Sequence, residues 1–175
     1  MNMNEQLQPV ITALADRFGA QSNEFRGEVT LILTPENIAN ACQALRDEFD
    51  FNLLEDETAV DYWPEQEPRF HVVYQIYSMR HHQRVCLRVP VPGLKPSLPT
   101  IETLYPNANW HEREIWDMFG IRFTGHSDLR RILMPYDWEG HPLRKDFPLG
   151  YEEVQFSFNA EQIDQDKSYA KQEPE

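Results

Sequence analysis

The chain has 175 residues and sets 16 Lys and Arg against 29 Asp and Glu, a formal net charge of −13. That length fits one domain with an appended tail, and 41% hydrophobic with 12% aromatic residues is a globular composition. The acid excess excludes a surface built to coat DNA or RNA, or to lie directly on anionic lipid, because both need cations.

At the start, Met1 to Gln6 lacks the basic and apolar runs of a signal peptide. No stretch approaches the ~18 consecutive apolar residues of a membrane span. Two cysteines, Cys42 and Cys86, cannot build a disulfide framework. The expectation is a soluble chain of a reducing compartment. Leu7, Val10, Ile11, Leu14 and Phe18 follow helical spacing, and Gly19 supplies a stop. Phe25 to Leu33 reads as a strand. A second helix opens with Thr34 as N-cap, Pro35 at its first position and Glu36 at the positive dipole end. Its apolar stripe is Ile38, Ala41, Cys42, Leu45 and Phe49, which makes Cys42 a small core residue.

From Asp47 to Glu67 there are nine acidic residues and no basic one; from Arg69 to Lys95 there are five basic residues and no acidic one. The acidic run reads as outward-facing, with cross-strand pairing between the two runs. Thr58 to Trp63 is a short strand. Phe70, Val72, Tyr74 and Ile76 alternate with more polar neighbours, as do Val85, Leu87 and Val89, so the two runs predict a hairpin. Five prolines from Pro90 to Pro106 mark a stiff crossover. A third helix runs from a cap at Asn107 or Asn109 to Gly120. Beyond Glu139 the pattern dissolves. The whole predicts an α+β fold, a mostly antiparallel or mixed sheet with helices packed on it. It divides into a core domain over residues 1–138 and an extended C-terminal segment over 139–175.

Catalytic motifs are missing. There is no Gly-x-Gly-x-x-Gly loop, and the Walker spacing of Gly120 and Gly125 continues with His126-Ser127 in place of Lys and Ser/Thr. No Cys-x-x-Cys exists for an iron–sulfur cluster. His111-Glu112 begins a zinc-protease motif, but Ile115 stands where the second histidine belongs. A metalloenzyme would have to gather His111, His126, Asp128 and His141 from separate places. On the third helix, Glu112 falls between Phe119 and Trp116, on the apolar face, whereas Arg113, Asp117 and Glu114 share the other side with Trp110. A buried carboxylate needs a partner, and Arg130-Arg131 is the nearest concentration of guanidinium. The buried pair is preferred over a general base of raised pKa.

At these residues the chain resembles a known family. Glu112-Arg113-Glu114-Ile115-Trp116-Asp117-Met118-Phe119-Gly120-Ile121 is followed by Gly125-His126-Ser127-Asp128-Leu129-Arg130-Arg131-Ile132-Leu133. Then comes Trp138-Glu139-Gly140-His141-Pro142-Leu143-Arg144-Lys145-Asp146-Phe147-Pro148-Leu149. Together these are similar to the 30-kDa subunit (C in the bacterial lettering) of the proton-pumping NADH–quinone oxidoreductase, respiratory complex I. Ser127 departs from the proline common at that place. The resemblance implies a non-catalytic subunit of the hydrophilic arm, on the cytoplasmic side of the bacterial inner membrane. It would touch the membrane only through its complex. The implied partners are subunits D, B and I, chiefly the first, which is the large hydrogenase-like one. The flavin, the iron–sulfur clusters, NADH and quinone belong to the other subunits, and this chain has no cofactor of its own. The equivalent subunit of a membrane-bound hydrogenase or of a ferredoxin-dependent complex is the alternative.

Within the matched stretch the structural and interface candidates are Glu112, Arg113, Asp117, His126, Asp128, Arg130, Arg131, His141, Arg144, Lys145 and Asp146. Ten of the 21 aromatic residues lie between Trp110 and Phe158 beside these cations, the composition of an interface centre. Residues His141 to Phe158 are expected to lie extended on the large hydrogenase-like subunit.

Overall fold

The computed structural model describes residues 3–148 and divides the chain into two units, Met1–Lys145 and Asp146–Glu175. In the first unit, α1 (Met3–Phe18) leads into the hairpin of β1 (Gln21–Phe25) and β2 (Glu28–Ile32). A 3₁₀ turn (Pro35–Asn37) precedes α2 (Ile38–Phe49). The meander β3 (Leu53–Asp61), β4 (Phe70–Ser78) and β5 (Gln83–Val91) follows. The unit continues with β6 (Ser97–Pro99), α3 (Ala108–Phe119) and β7 (Arg122–Thr124). Among the described residues no helix is long and apolar enough to cross a membrane. Of the segment expected over 139–175, residues 139–145 belong to the first unit, and in the second unit only residues 146–148 are described, so residues 149–175 lie outside the described residues.

The strand order is β1-β2-β5-β4-β3, antiparallel throughout except for the parallel pair β2 and β5. A parallel pair needs a long connection, which α2 and the β3–β4 hairpin supply. The expected single strand over Phe25 to Leu33 is instead the second half of a hairpin. Its turn places Arg26 and Gly27 at φ 53° and 83°, as a two-residue hairpin turn demands, and Arg-Gly lacks the Asn-Gly or Asp-Gly signal of such turns. Pro90 fits inside β5 because residues 88 and 90 point to the β2 side, where the last bond runs from Leu33 to the Arg88 carbonyl. No ladder donor is lost there.

One sheet face is the core. Phe70, Val72, Tyr74 and Ile76 on β4 and Val85, Leu87 and Val89 on β5 are buried. Leu7, Val10 and Leu14 of α1, Ile38, Ala41, Cys42 and Leu45 of α2, and Ile115 of α3 belong to the same cluster. Tyr105 ties α2 to β3 by donating its hydroxyl to the Phe51 carbonyl at 2.7 Å. The two charge runs meet as Arg84–Glu55 and Arg69–Asp61 at the sheet and as Arg80–Asp50 between the β4–β5 turn and the end of α2. The acidic run does not look wholly outward, however. Glu57 and Asp61 are buried, because the β3 alternation places them on the same face as Ala59.

Candidate functional site

Helix α3 carries the densest set of charges, and the fold takes Glu112, Arg113 and Asp117 inside together. Asn107 stands at the N-cap, as expected, but makes no side-chain capping bond: it donates its amide to the Leu54 carbonyl at 2.8 Å, and Asn109, inside the helix, donates to Glu102 at 2.7 Å. Gly120 does end it, in the left-handed conformation at φ 73°.

Glu112 is fully buried, as its place on the helix predicts, but its partner is not an arginine. Its carboxylate accepts the Ile101 N–H at 2.7 Å and the Thr100 hydroxyl at 2.5 Å, at the end of β6. Burial pushes its pKa up to about 7, against the pull of those two bonds, and Glu102 adds to the rise. His126 lies against it with Nε2 3.8 Å away. The imidazole is already engaged: Nδ1 accepts the Asp128 N–H at 3.0 Å, so Nε2 carries the proton and donates to the Asn109 carbonyl at 3.1 Å. With both its oxygens bonded inside the chain, Glu112 presents no face to a substrate. The raised pKa comes from packing.

Of the two arginines, Arg131 goes to Asp117, five residues along and on another side of the helix. Asp117 is fully buried, contrary to the helical projection, which groups this residue with the exposed Trp110. One carboxylate oxygen meets Arg131 at 2.5 Å; the other accepts three consecutive N–H groups, from Ile132, Leu133 and Met134, at 3.0, 2.8 and 2.9 Å. Burial alone would raise its pKa. The Met134 N–H, Arg131 and the Leu133 and Ile132 N–H groups outweigh it and hold the carboxyl below its usual range. Arg131 also donates to the carbonyls of Trp138 and Gly140, at 2.7 and 3.0 Å. From above, Arg113 donates to the carbonyls of Arg130 and Arg131, both at 3.1 Å. One helix thereby fixes a loop without regular structure.

The next residues close over the helix end. A helix leaves its last carbonyls without partners. Here His141 donates to the Asp117 carbonyl at 2.9 Å, Leu143 N–H to Met118 at 3.0 Å and Arg144 to Phe119 at 2.5 Å. Burial, then Arg144 and Arg131, keep the His141 pKa low against its bond to Asp117. A Cβ on Gly120 would lie 2.5 Å from His141 and 2.6 Å from Arg144. Gly120→Ala is therefore expected to lower stability by about 2 kcal/mol, from the positive φ and the clash together, and to expose the 141–145 amides to exchange. Thermal melting and hydrogen exchange of the variant check this.

A third buried acid holds the exit of this loop. Asp61 accepts the Arg69 fork at 2.9 and 2.8 Å, the Trp63 N–H at 3.0 Å and the Lys145 N–H at 2.9 Å. Although burial opposes it, these bonds pull its pKa down to about 2. Arg69 stacks over Trp63 and Phe70, at 4.9 and 4.8 Å from their centroids, and Arg144 lies over Phe70 at 5.4 Å. Asp61 belongs to the Val60-Asp61-Tyr62 stretch that also resembles the family, but it is not among the interface candidates named from the sequence. The strand alternation that buries Ala59 is the available signal, since Asp61 is two residues on.

Of the remaining candidates, Asp128 and Arg130 form an exposed pair at 2.8 Å, which adds little. The Lys145 backbone, rather than its amine, makes the bond to Asp61, and Asp146 is exposed in the second unit. His111 faces Asp56 at 3.9 Å and shares no site with His126, Asp128 and His141. Among the described residues no three His, Cys, Asp or Glu side chains gather as a metal site. Among the exposed residues of this otherwise polar loop stand large apolar side chains, Leu133, Trp138, Leu143 and Tyr136, the last 94% exposed, and Trp110 of α3 is exposed as well.

Comparison with known proteins agrees with this architecture. The sequence pattern described as "Respiratory-chain NADH dehydrogenase, 30 Kd subunit" matches residues 31–153. The C subunit of the NADH-quinone oxidoreductase of Roseiflexus sp. (strain RS-1) is 53% identical over 153 residues, 86% of this chain and 87% of the relative. Its counterpart from Geobacter sulfurreducens is 46% identical over 142 residues, 79% of this chain and 88% of the relative. A solved structure of Nqo5, its trypsin-resistant fragment (1-134), superposes with a TM-score of 0.60 at 33% identity, covering 74% of this chain and all of that one. A chain of an archaeal membrane-bound sulfane sulfur reductase has the same fold, with a TM-score of 0.72 at 21% identity over 98% of this chain and 95% of that one. With the pattern spanning most of the chain and relatives of this identity, the protein belongs to the family of the 30-kDa subunit of the respiratory NADH–quinone oxidoreductase.

Proposed function

We propose that this chain is a non-catalytic subunit of the hydrophilic arm of a proton-pumping NADH:quinone oxidoreductase. It sits peripherally on the cytoplasmic side of the inner membrane, docks chiefly on the large hydrogenase-like subunit, and has subunits B and I as neighbours. It carries no cofactor. Flavin, iron–sulfur and quinone chemistry belongs to the other subunits, and the chain helps hold the translocating enzyme together.

The observation that carries this reading is the use made of Asp117. Its carboxylate and Arg131 are spent on fixing the backbone of residues 131–140, and that fixed backbone turns Leu133, Tyr136 and Trp138 to the outside. Aromatic and large apolar side chains on a rigid frame lose little entropy on binding, which favours a docking surface over a site of chemistry.

Deletion of residues 146–175 removes the second unit and leaves the loop anchored through Lys145. The shortened chain is expected to fold and to lose most of its capture of the large hydrogenase-like subunit from detergent-solubilised membranes. Full capture by the shortened chain would refute a docking role for the segment. NADH-oxidising activity in the material captured by the full chain separates this enzyme from a hydrogenase or ferredoxin-dependent relative.

A further inference from the structure

The five-stranded sheet has a second face, which bears none of the core cluster. Strand registers place Ile32, Arg88, Val73 and Thr58 in one row across it, and Pro90, His71 and Val60 in the next. All seven are half-buried or exposed. A sheet face turned to water alternates to polar residues, yet here Ile32, Val60, Val73 and Pro90 surround an arginine.

That arginine is held in place by neutral groups. Arg88 Nε donates to His71 Nδ1 at 2.9 Å, a terminal nitrogen bonds the Tyr62 hydroxyl, and the guanidinium lies 5.5 Å from the Tyr62 ring centroid. Tyr62 in turn packs edge-on against His71, with centroids 5.0 Å apart. Among the described residues no carboxylate lies within ion-pair distance, 4.0 Å, of Arg88. The contrast is internal: Arg17, Arg69, Arg80, Arg84 and Arg131 each have an Asp or Glu partner. In a chain of net charge −13, this face keeps acid out of its centre and presents a fixed cation instead. A planar guanidinium in an apolar setting recognises a carboxylate through two parallel hydrogen bonds, and Arg with Tyr inside an apolar rim is the composition of an interface centre.

We infer that this open sheet face is a second docking surface, which receives an apolar segment of a neighbouring subunit carrying an Asp or Glu that pairs with Arg88. The inference rests on the proposed membership of a multisubunit complex and uses no residue of the 128–145 loop.

Cys86 supplies a native probe. It pairs in register with Gln75 and Thr30, one row from Arg88, and is half-buried, whereas Cys42 is fully buried. Full-length chain, alone and within the complex solubilised from membranes, is treated with N-ethylmaleimide, and labelling of each cysteine is followed by mass spectrometry. Cys86 is expected to label in the isolated chain and to slow by about tenfold or more in the complex. Arg88→Glu should reduce incorporation into the complex by about tenfold or more, with melting of the isolated chain little changed, and Arg88→Lys should restore part of it. Equal labelling of Cys86 in an assembled complex would overturn the inference while leaving the docking role intact. Protection already present in the isolated chain would also overturn it. If that protection vanishes on deleting 149–175, the occupant is the chain's own segment; if it rises with protein concentration, the occupant is a second copy. Failure of the chain to co-purify with any complex would remove both this inference and the reading beneath it.

Discussion

Asp117→Ala is expected to release the whole loop from Arg130 to Gly140. The substitution strips the partner from a half-buried guanidinium and from three N–H groups at once. Removing one side of a buried ion pair costs about 3–5 kcal/mol, against a total stability of about 5–15 kcal/mol for a typical domain. At about 2–4 °C per kcal/mol for a chain of this size, the melting temperature should fall by roughly 10 °C. Protection of the Ile132, Leu133 and Met134 amides against hydrogen exchange should vanish. Asp117→Asn keeps the shape without the charge and should fall between. Glu114→Ala, an exposed neighbour on the same helix, should stay within about 0.5 kcal/mol of the parent. A variant lacking the Asp117 carboxylate that melts with the parent and keeps those amides protected would show that the loop is held by something else.

The second large effect is a loss of stability as the pH rises from mildly acid to mildly alkaline. Glu57 is buried opposite Tyr74, and no hydrogen bond of normal geometry reaches its two oxygens or the Tyr74 hydroxyl. Burial, followed by the charge of Glu112, pushes the Glu57 pKa well above the usual carboxylate range. Glu112 itself is raised from 4.5 to about 7 by burial. For a carboxyl raised on folding, the stabilisation is complete below the unfolded pKa and is lost as pH climbs through the folded one. Glu112 alone then contributes a fall of about 3 kcal/mol between pH 4.5 and 7, and Glu57, raised by the same burial, adds to it. His71 and His141, both held low, oppose the trend below pH 6.5, and Asp61 and Asp117 withdraw their support in stronger acid. The clean readout is therefore a difference. Glu57→Gln should melt above the parent at about pH 8 and converge with it near pH 5. A constant difference across that range would mean that Glu57 does not hold its proton in the folded state.

The parts of the fold that are legible in the sequence have local causes. The stripe from Ile38 to Leu45, the β4–β5 alternation and Gly120 as a helix end follow from periodicity and from one left-handed position. The β1–β2 hairpin is not legible, because Arg26-Gly27 gives the turn its φ values without the usual residue pair. The parallel pair of β6 and β7 escapes for another reason: its strands are three residues long, too short to show a period.

At the candidate site the division is sharper. Burial of Glu112 follows from its place between Phe119 and Trp116, but its partner does not. Thr100 and Ile101 reach it because β6 ends beneath α3, and no spacing along the chain encodes that meeting. Burial of Asp117 is hidden for a related reason. The loop that covers it comes from residues 131–144 and is itself polar and irregular, so no apolar stripe announces a buried face there.

By itself the sequence determined the class of the chain: an acidic α+β domain without a cofactor loop, bearing one dense stretch from Trp110 to Leu149 in which seven acidic and six basic residues nearly balance. Only the tertiary structure decided what that balance does. Asp61 and Asp117 stand 56 positions apart along the chain, yet each takes its place in the same loop, one holding its exit at Lys145 and the other its start at Ile132. The physical reason is that a buried charge must find its hydrogen bonds wherever the fold brings donors, and a sequence shows which groups are charged without showing which will be denied water. The −13 is a property of composition. Which acids face solvent, which organise the loop, and why Arg88 has no acid beside it are properties of packing.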